Sequence, residues 1–416
     1  MSASLNDRLP ATFARLAWSN LAAQSAEQIA LAAAPIAAVL LLGAGEAATG
    51  LLQTAQTLPF VSIAIPAGLL ADRMSRRRLM ASAEALRAAA LVAILLLIWS
   101  GSLTLPLLAL LGFVSVCGTV VYSVAAPALV PSLVPSQSLA AANARIELAR
   151  TMAFAGGPAI GGALVGWIGF GFAFGVAALL STAAVVLLGG IHEPLRTPTP
   201  HRRHPLAEIR DGAAFVFQHP LLRPVFVTQL IFGTAAFLIL AVFVPFAVRR
   251  LGLTASGVGL VLGMYGVGMV VGALLATRML RRWPFGRVVA LGPVTGFGAS
   301  LLMAITTVIP WPVLAGLSFF LLGAGPIIWV ISTTTLRQAV TPPSLLGRVS
   351  AINIMSYGAR PLGAALGAIV GGFFGAEACF WLAAVFFAWQ AAVIIFSPVV
   401  GLLRQPDMTV EPALAR

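Results

Sequence analysis

A dozen apolar segments run through this chain, and the arginines between them fall on alternate sides. The segments centre near Ile29, Leu58, Leu91, Val114, Phe154, Ala178, Phe237, Val267, Leu301, Phe320, Leu362 and Phe387. Each is long enough to cross ~30 Å of hydrocarbon, which takes ~20 residues of helix. All 25 basic residues are arginine. Most lie in the termini and the even-numbered connections. Arg249 and Arg250 stand in an odd-numbered one, while Arg87, Arg145, Arg150 and Arg360 fall inside segments. Positive charge collects on the cytoplasmic side of a bilayer, so both termini and the even connections are expected there. The pattern predicts a multi-pass protein of the cell inner (cytoplasmic) membrane. Its fold class is all-α, with twelve transmembrane helices in two pseudo-symmetric six-helix bundles.

Composition points to the same solvent. Hydrophobic residues make up 60% of the chain and charged residues 9%, with a mean hydropathy of +1.00, too apolar for a water-soluble globule. The net charge of +13 sits in short connections beside the segments, where it serves topology and contact with anionic lipid. No nucleic-acid partner is expected. The first apolar stretch is too long for a signal-peptide core and lacks a cleavage site, so it is expected to remain as helix 1. Cys117 and Cys379 fall in segments 4 and 12, where buried, unreactive thiols are expected.

The longest polar interruption, residues 191–220, separates the segments six and six. The expected division is a first bundle over 1–190, a linker over 191–220, a second bundle over 221–400 and a tail over 401–416. Within the linker, Leu206 to Phe217 has the spacing of an amphipathic helix able to lie at the cytoplasmic interface. His192, His201, His204 and His219 are irregularly spaced loop residues and are read as solvated, with no metal site. The halves also repeat. Gly68 in GLLADRMSRRRLM recurs about 204 residues later as Gly272 in GALLATRMLRRWPF, and Pro158 recurs about 203 residues later as Pro361. Equal offsets for unrelated segments indicate a duplicated six-helix unit, and parallel repeats are a transporter architecture.

Charges at bilayer depth cost ~2.5 kcal/mol or more and mark partners or function. Glu27 shares a helical stripe with Asn20 and Gln24, with Gln28 adjoining, and is the candidate for proton coupling or substrate contact. Arg360 forms a similar stripe with Asn353 and Tyr357; a guanidinium keeps its proton, so it is read as attracting an anionic substrate or partnering an acid. Gln53, Gln56, Tyr122, Gln229, Tyr265 and Trp329 are candidate cavity-lining residues. Glu84 with Arg87, and Glu147 with Arg150, are spaced i, i+3 and read as local ion pairs at the inner interface. No phosphate-binding GxxxxGK[ST], HExxH or GxSxG occurs, so neither ATP hydrolysis nor another enzyme activity is expected.

The loop GLLADRMSRRRLM resembles the signature of the major facilitator superfamily between helices 2 and 3. Gly68, Asp72, Arg73, Arg76 and Arg77 fall on its pattern, and Ser75 stands where the family usually has glycine. The resemblance implies a cytoplasmic gate in which Asp72 latches the outward-open state. Gly157, Pro158, Gly161 and Gly162 resemble the GPxxGG core of the helix 5 signature of the superfamily's proton-driven exporters, with Ala153 replacing an upstream glycine. LVPSQSLAAANA, EIRDGAAFVFQHPLLRP and LLGRVSAIN are similar to the branch that holds the bacterial enterobactin exporter and related multidrug efflux proteins. The arginine that many proton antiporters carry in helix 4 is missing from LLGFVSVCGTVVYSVAAPALVP. The resemblance implies a secondary active transporter exporting amphipathic small molecules, drugs or siderophores, in exchange for protons. It would work as a monomer among membrane lipids, with no cofactor beyond the proton gradient. A symporter or facilitator importing a small solute, and a non-transporting sensor on the same scaffold, are the alternatives.

Overall fold

The computed structural model describes residues 10–135, 138–193, 205–342 and 345–406; the side chains of Asp72 and Arg73 lie outside the described ones. Every regular element among the described residues is helical. They cluster into two compact units, Met1–Thr199 with Gly252–Gly263, and Pro200–Leu251 with Met264–Arg416.

The first unit holds α1 (Ala11–Leu40), α2 (Glu46–Thr57), α3 (Pro59–Ser62), α4 (Ala64–Arg73), α5 (Arg76–Trp99), α6 (Leu105–Leu133), α7 (Leu139–Trp167) and α8 (Phe170–Gly189). Helix α1 packs on α7, α8 and α6, and α5 lies between α6 and α8. A core built on Phe13, Leu16, Met80, Leu129 and Leu188 takes apolar side chains from α1, α5, α6, α7 and α8, and Ala71 from α4.

The second unit holds α9 (Pro205–Gln218), α10 (Leu222–Arg249), most of α11 (Ala255–Arg282), α12 (Phe285–Ile305), α13 (Pro312–Val340), α14 (Leu346–Met355) and α15 (Ala359–Ile395). Here α10 packs on α15 and α12 on both α13 and α15. The expected interfacial helix of the linker is α9. It docks on α14, where Gly212 comes so close to the Arg348 carbonyl that a Cβ would lie 2.8 Å from it. Residues 194–204, including His201 and His204, and the tail beyond 406 lie outside the described residues.

Ten described helices are long and apolar enough to cross a membrane, against the twelve continuous spans expected. Both differences trace to proline and glycine. The second expected span is broken near its centre, between α2, α3 and α4, because Pro59 lacks an amide donor and its ring disfavours a helix running into it. The last two expected spans join in one helical run, Ala359–Ile395, turned at Gly375 (φ 81°, ψ 171°), a conformation open mainly to glycine. Before it, Ser356–Gly358 tightens into a 3-10 turn, since the ring of Pro361 clashes with the carbonyl four residues back, that of Tyr357.

Candidate functional site

The polar stripe of α1 is buried throughout. Asn20, Gln24, Glu27 and Gln28 all face the interior of the first unit. Asn20 spends its amide on a helix contact, donating through Nδ2 to the Ile146 carbonyl of α7 at 3.1 Å. Glu27, 8% exposed, lines a narrow cleft with Gln56 of α2, Ser115 and Gly112 of α6, Leu91 and Ile94 of α5, and Phe174 of α8. The free space is of the order of one water molecule. Gln56 is buried there with Oε1 unpaired among the described residues, a polar group facing a mainly apolar cleft. Gln53, three residues earlier on α2, is half-buried and outside the lining. Tyr122 belongs to a packed core cluster, with its hydroxyl 3.1 Å from that of Ser19.

Glu84 and Arg87 form an ion pair at 3.0 Å, as their spacing predicted, with 0% and 1% of the side chains exposed. Arg87 also donates from Nε to the Ser115 carbonyl (3.3 Å), from Nη1 to the Ala23 carbonyl (2.9 Å) and from Nη2 to Thr119 Oγ1 (2.6 Å). Ser181 of α8 donates to Glu84 Oε2 at 2.8 Å. The pair thus ties α5 to α1, α6 and α8. Gly118 makes room for it, since a Cβ there would meet the Ala83 carbonyl at 2.8 Å and Arg87 Cβ at 3.4 Å. The fourth segment carries no arginine, yet a guanidinium lies against it, supplied from α5. By contrast, Glu147 and Arg150 pair at 2.6 Å on the exposed surface, worth little to stability.

Each glycine of the α7 motif abuts another helix. A Cβ on Gly157 would sit 2.3 Å from Gln28 Cβ, one on Gly161 would sit 3.0 Å from the Ile29 carbonyl, and one on Gly162 would sit 2.6 Å from Gly259 Cα. Pro158 lies within the same helix, whose backbone passes between α1 on one side and the first turns of α11 on the other. Small residues permit this approach, which is how apolar helices gain van der Waals contact in lipid.

The signature loop is organised from α8. Ser75 has an ordinary extended backbone (φ −60°, ψ 119°) and caps α5, accepting from the Arg78 amide at 3.3 Å, so no glycine is needed there. Its hydroxyl donates to Glu193 Oε2 at 2.6 Å, and Glu193 also accepts from the amides of Arg76 (3.2 Å) and Arg77 (3.1 Å). A carboxylate at a helix N-terminus meets unpaired N–H groups and the positive end of the dipole. Arg77 returns to the Gly189 and Ile191 carbonyls at 3.0 and 3.2 Å, and Arg76 donates to the Ala128 carbonyl. The acid seen on this helix end is Glu193; the side chain of Asp72, the expected latch, lies outside the described ones. Gly68, expected to admit a close helix, has open space at its Cβ position among the described residues. Its repeat Gly272 is the one in tight contact, where a Cβ would lie 2.2 Å from the Ala324 carbonyl.

In the second unit Arg360 lies over two rings, 4.1 Å from the Tyr357 centroid and 5.5 Å from that of Phe237. Asn353 lines a small cleft with Arg337, Val216, Phe226, Val349 and Ile352; Arg337 was not singled out in the sequence. Trp329 is buried in a core cluster beside Phe232, with ring centroids 6.2 Å apart. Gln229 and Tyr265 are half-buried. Gln390, fully buried and also missed, donates to the Thr228 carbonyl at 3.1 Å. Cys379 is buried as expected, its thiol donating to the Gly367 carbonyl at 3.8 Å, whereas Cys117 is partly exposed; neither forms a disulfide among the described residues.

The family model described as transmembrane secretion effector matches residues 11–408. The chain belongs to the major facilitator superfamily. Its sequence is similar to the uncharacterized MFS-type transporter y4rN of Sinorhizobium fredii (strain NBRC 101917 / NGR234), with 32% identity over 253 residues. That match covers 58% of this chain, and the chain spans about 60% of the length of the curated relative. Among solved structures, a POT family transporter in complex with 5-aminolevulinic acid has a TM-score of 0.75 at 12% identity, covering 94% of this chain and 97% of that one. The nucleoside transporter NupG reaches 0.71 at 14% identity (93% and 98%), and a D-xylose-proton symporter 0.69 at 12% (93% and 98%). At these identities the likeness establishes the fold.

Proposed function

We propose that this protein is a proton-coupled exporter of amphipathic small molecules, such as drugs or siderophores, working by alternating access in the cell inner membrane. The reading takes the broken helix Glu46–Arg73 and the turned run Ala359–Ile395 as membrane passages too, giving twelve with both termini cytoplasmic. The observation that carries it is Glu27: a carboxyl buried in a polar stripe on α1, facing a cleft lined by Gln56 and Ser115. A carboxyl held away from bulk water exchanges its proton when the cleft changes its access, which is what coupling requires. Export is favoured by the description of the matched family and by the α7 glycine–proline motif. Arg360, backed by two rings, is assigned to the anionic part of a substrate, and Asp72 to gating at the signature loop.

A proton-driven importer is the second reading, favoured by the D-xylose-proton symporter among the structural neighbours. Everted membrane vesicles separate the two. With an imposed proton gradient, an exporter accumulates a fluorescent amphipathic cation such as ethidium inside them. Gradient-driven movement in the opposite direction would establish import and overturn the proposal.

A further inference from the structure

The coupling role of Glu27 makes no use of the Glu84–Arg87 pair, although that pair is the most completely buried charge in the first unit. Burying an ion pair costs about as much as it returns, and apolar replacements of similar volume are often neutral or stabilising. A tie between helices alone does not call for charges, since Asn20 and the α7 glycines already join α1 to α7.

The hydrogen bonding shows what charges add. Arg87 holds Ser115 O, Ala23 O and Thr119 Oγ1, three bonds that do not involve Glu84. Guanidinium does not lose its proton, so Arg87 stays anchored whether Glu84 is charged or neutral. Ser181, at 2.8 Å, donates to a carboxylate and equally accepts from a carboxylic acid. Both protonation states of Glu84 therefore keep the Ser181 bond in one geometry, while Oε1 has no hydrogen-bond partner among the described residues and faces Arg87 Nη1 at 3.0 Å. The site also adjoins Glu27: Ala23 lies one turn from it on α1, and Ser115 lines the Glu27 cleft. The remaining titratable group turned toward the pair is Tyr122 of α6, bonded to Ser19 of α1, while α8 brings the neutral Ser181.

We propose that Glu84 is a second proton-binding site, loaded through the Glu27 cleft, with Arg87 as its positioning residue. One proton leaves the Glu27 carboxyl, passes through water in the cleft and binds the Glu84 carboxylate. Glu27 becomes the anion, Glu84 the neutral acid, and Arg87 stays cationic, so the pair moves from zero net charge to +1. Unpaired from the acid, the guanidinium draws harder on the carbonyls of α1 and α6, which couples the proton to the packing of these helices. This rests on the proton-coupled reading above.

The test needs no substrate. Infrared difference spectra of the carboxyl C=O stretch are recorded on the purified full chain in detergent and D2O, titrated from about pH 5 to about pH 9. Two buried carboxyl bands are expected in the wild type, one lost in Glu84→Gln and the other in Glu27→Gln. A wild-type spectrum from Glu84→Gln would overturn the proposal, while loss of a band in Glu27→Gln would still uphold the earlier reading. An unchanged spectrum from Glu27→Gln would instead remove that reading and leave the Glu84 band to be judged separately. Should Glu84→Gln not fold, the apolar pair Glu84→Leu with Arg87→Met decides. It is expected to fold and to lack the Glu84 band, and retention of that band would refute the site.

Discussion

Alanine placed along the glycines of α7 separates helix packing from helix propensity. Alanine in a helix interior is roughly 1 kcal/mol better than glycine, so a glycine without a close neighbour gains by the change. Gly156 is such a position, its nearest atom being Ile160 Cδ1 of its own helix at 3.7 Å. One residue on, the new methyl of Gly157→Ala would lie 2.3 Å from Gln28 Cβ, where ordinary contact begins at 3.4 Å, so α7 must retreat from α1 by about 1 Å. Overpacking of that kind costs about 1–3 kcal/mol, which outweighs the propensity gain. The two variants are expected to differ by about 2 kcal/mol, roughly 4–8 °C in unfolding midpoint for a unit of this size. Gly162→Ala, opposing the backbone of Gly259 at 2.6 Å, should fall at least as far as Gly157→Ala, and Gly161→Ala, at 3.0 Å from a carbonyl, between the extremes. The midpoint is read as the temperature at which half the purified protein leaves the monodisperse size-exclusion peak. Equal midpoints for the Gly156 and Gly157 variants would refute the packing argument for the motif.

Removing the charge of Glu193 should loosen the start of α5. Glu193→Gln weakens the cap on the Arg76 and Arg77 amides by about 1 kcal/mol, so hydrogen exchange there should quicken roughly fivefold; unchanged exchange would mean that the carboxylate contributes nothing. Burial pushes the imidazole of His219 below its ordinary value of 6.5. As pH falls the unfolded chain takes the proton first, so this contribution is complete above about 6.5 and is lost as pH drops through the depressed folded value. Protonation also removes the Nδ1 acceptor of the Leu221 amide at 3.2 Å. Exchange of that amide, corrected for its intrinsic rate, should therefore rise on acidification in the wild type and show no such step in His219→Gln.

The sequence carried the apolar segments because lipid leaves a coarse signal, about twenty apolar residues at a time, and α9 because its stripe is amphipathic. It missed the breaks at Pro59 and before Pro361, which hydropathy averages over. The stripe containing Glu27 was legible from i, i+4, i+7 spacing alone. The same rule applied to α5 puts Met80, Glu84, Arg87, Leu91 and Ile94 on one face, a signal that the pair is buried among neighbouring helices. Glu193 was out of reach for another reason: its partners at Ser75 to Arg77 lie far away in sequence, and only the return of α8 brings them together.

The central claim is that Glu27 couples proton entry to substrate exit. In liposomes holding the purified protein and a pH-sensitive dye, with a proton gradient imposed and ethidium supplied, the wild type should move protons down their gradient only when ethidium moves against its own. Glu27→Gln keeps the size and hydrogen bonding of the side chain without its titratable proton, and should fold normally while losing both fluxes together. Wild-type, gradient-driven ethidium movement with accompanying proton flux in the Glu27→Gln protein would contradict the account.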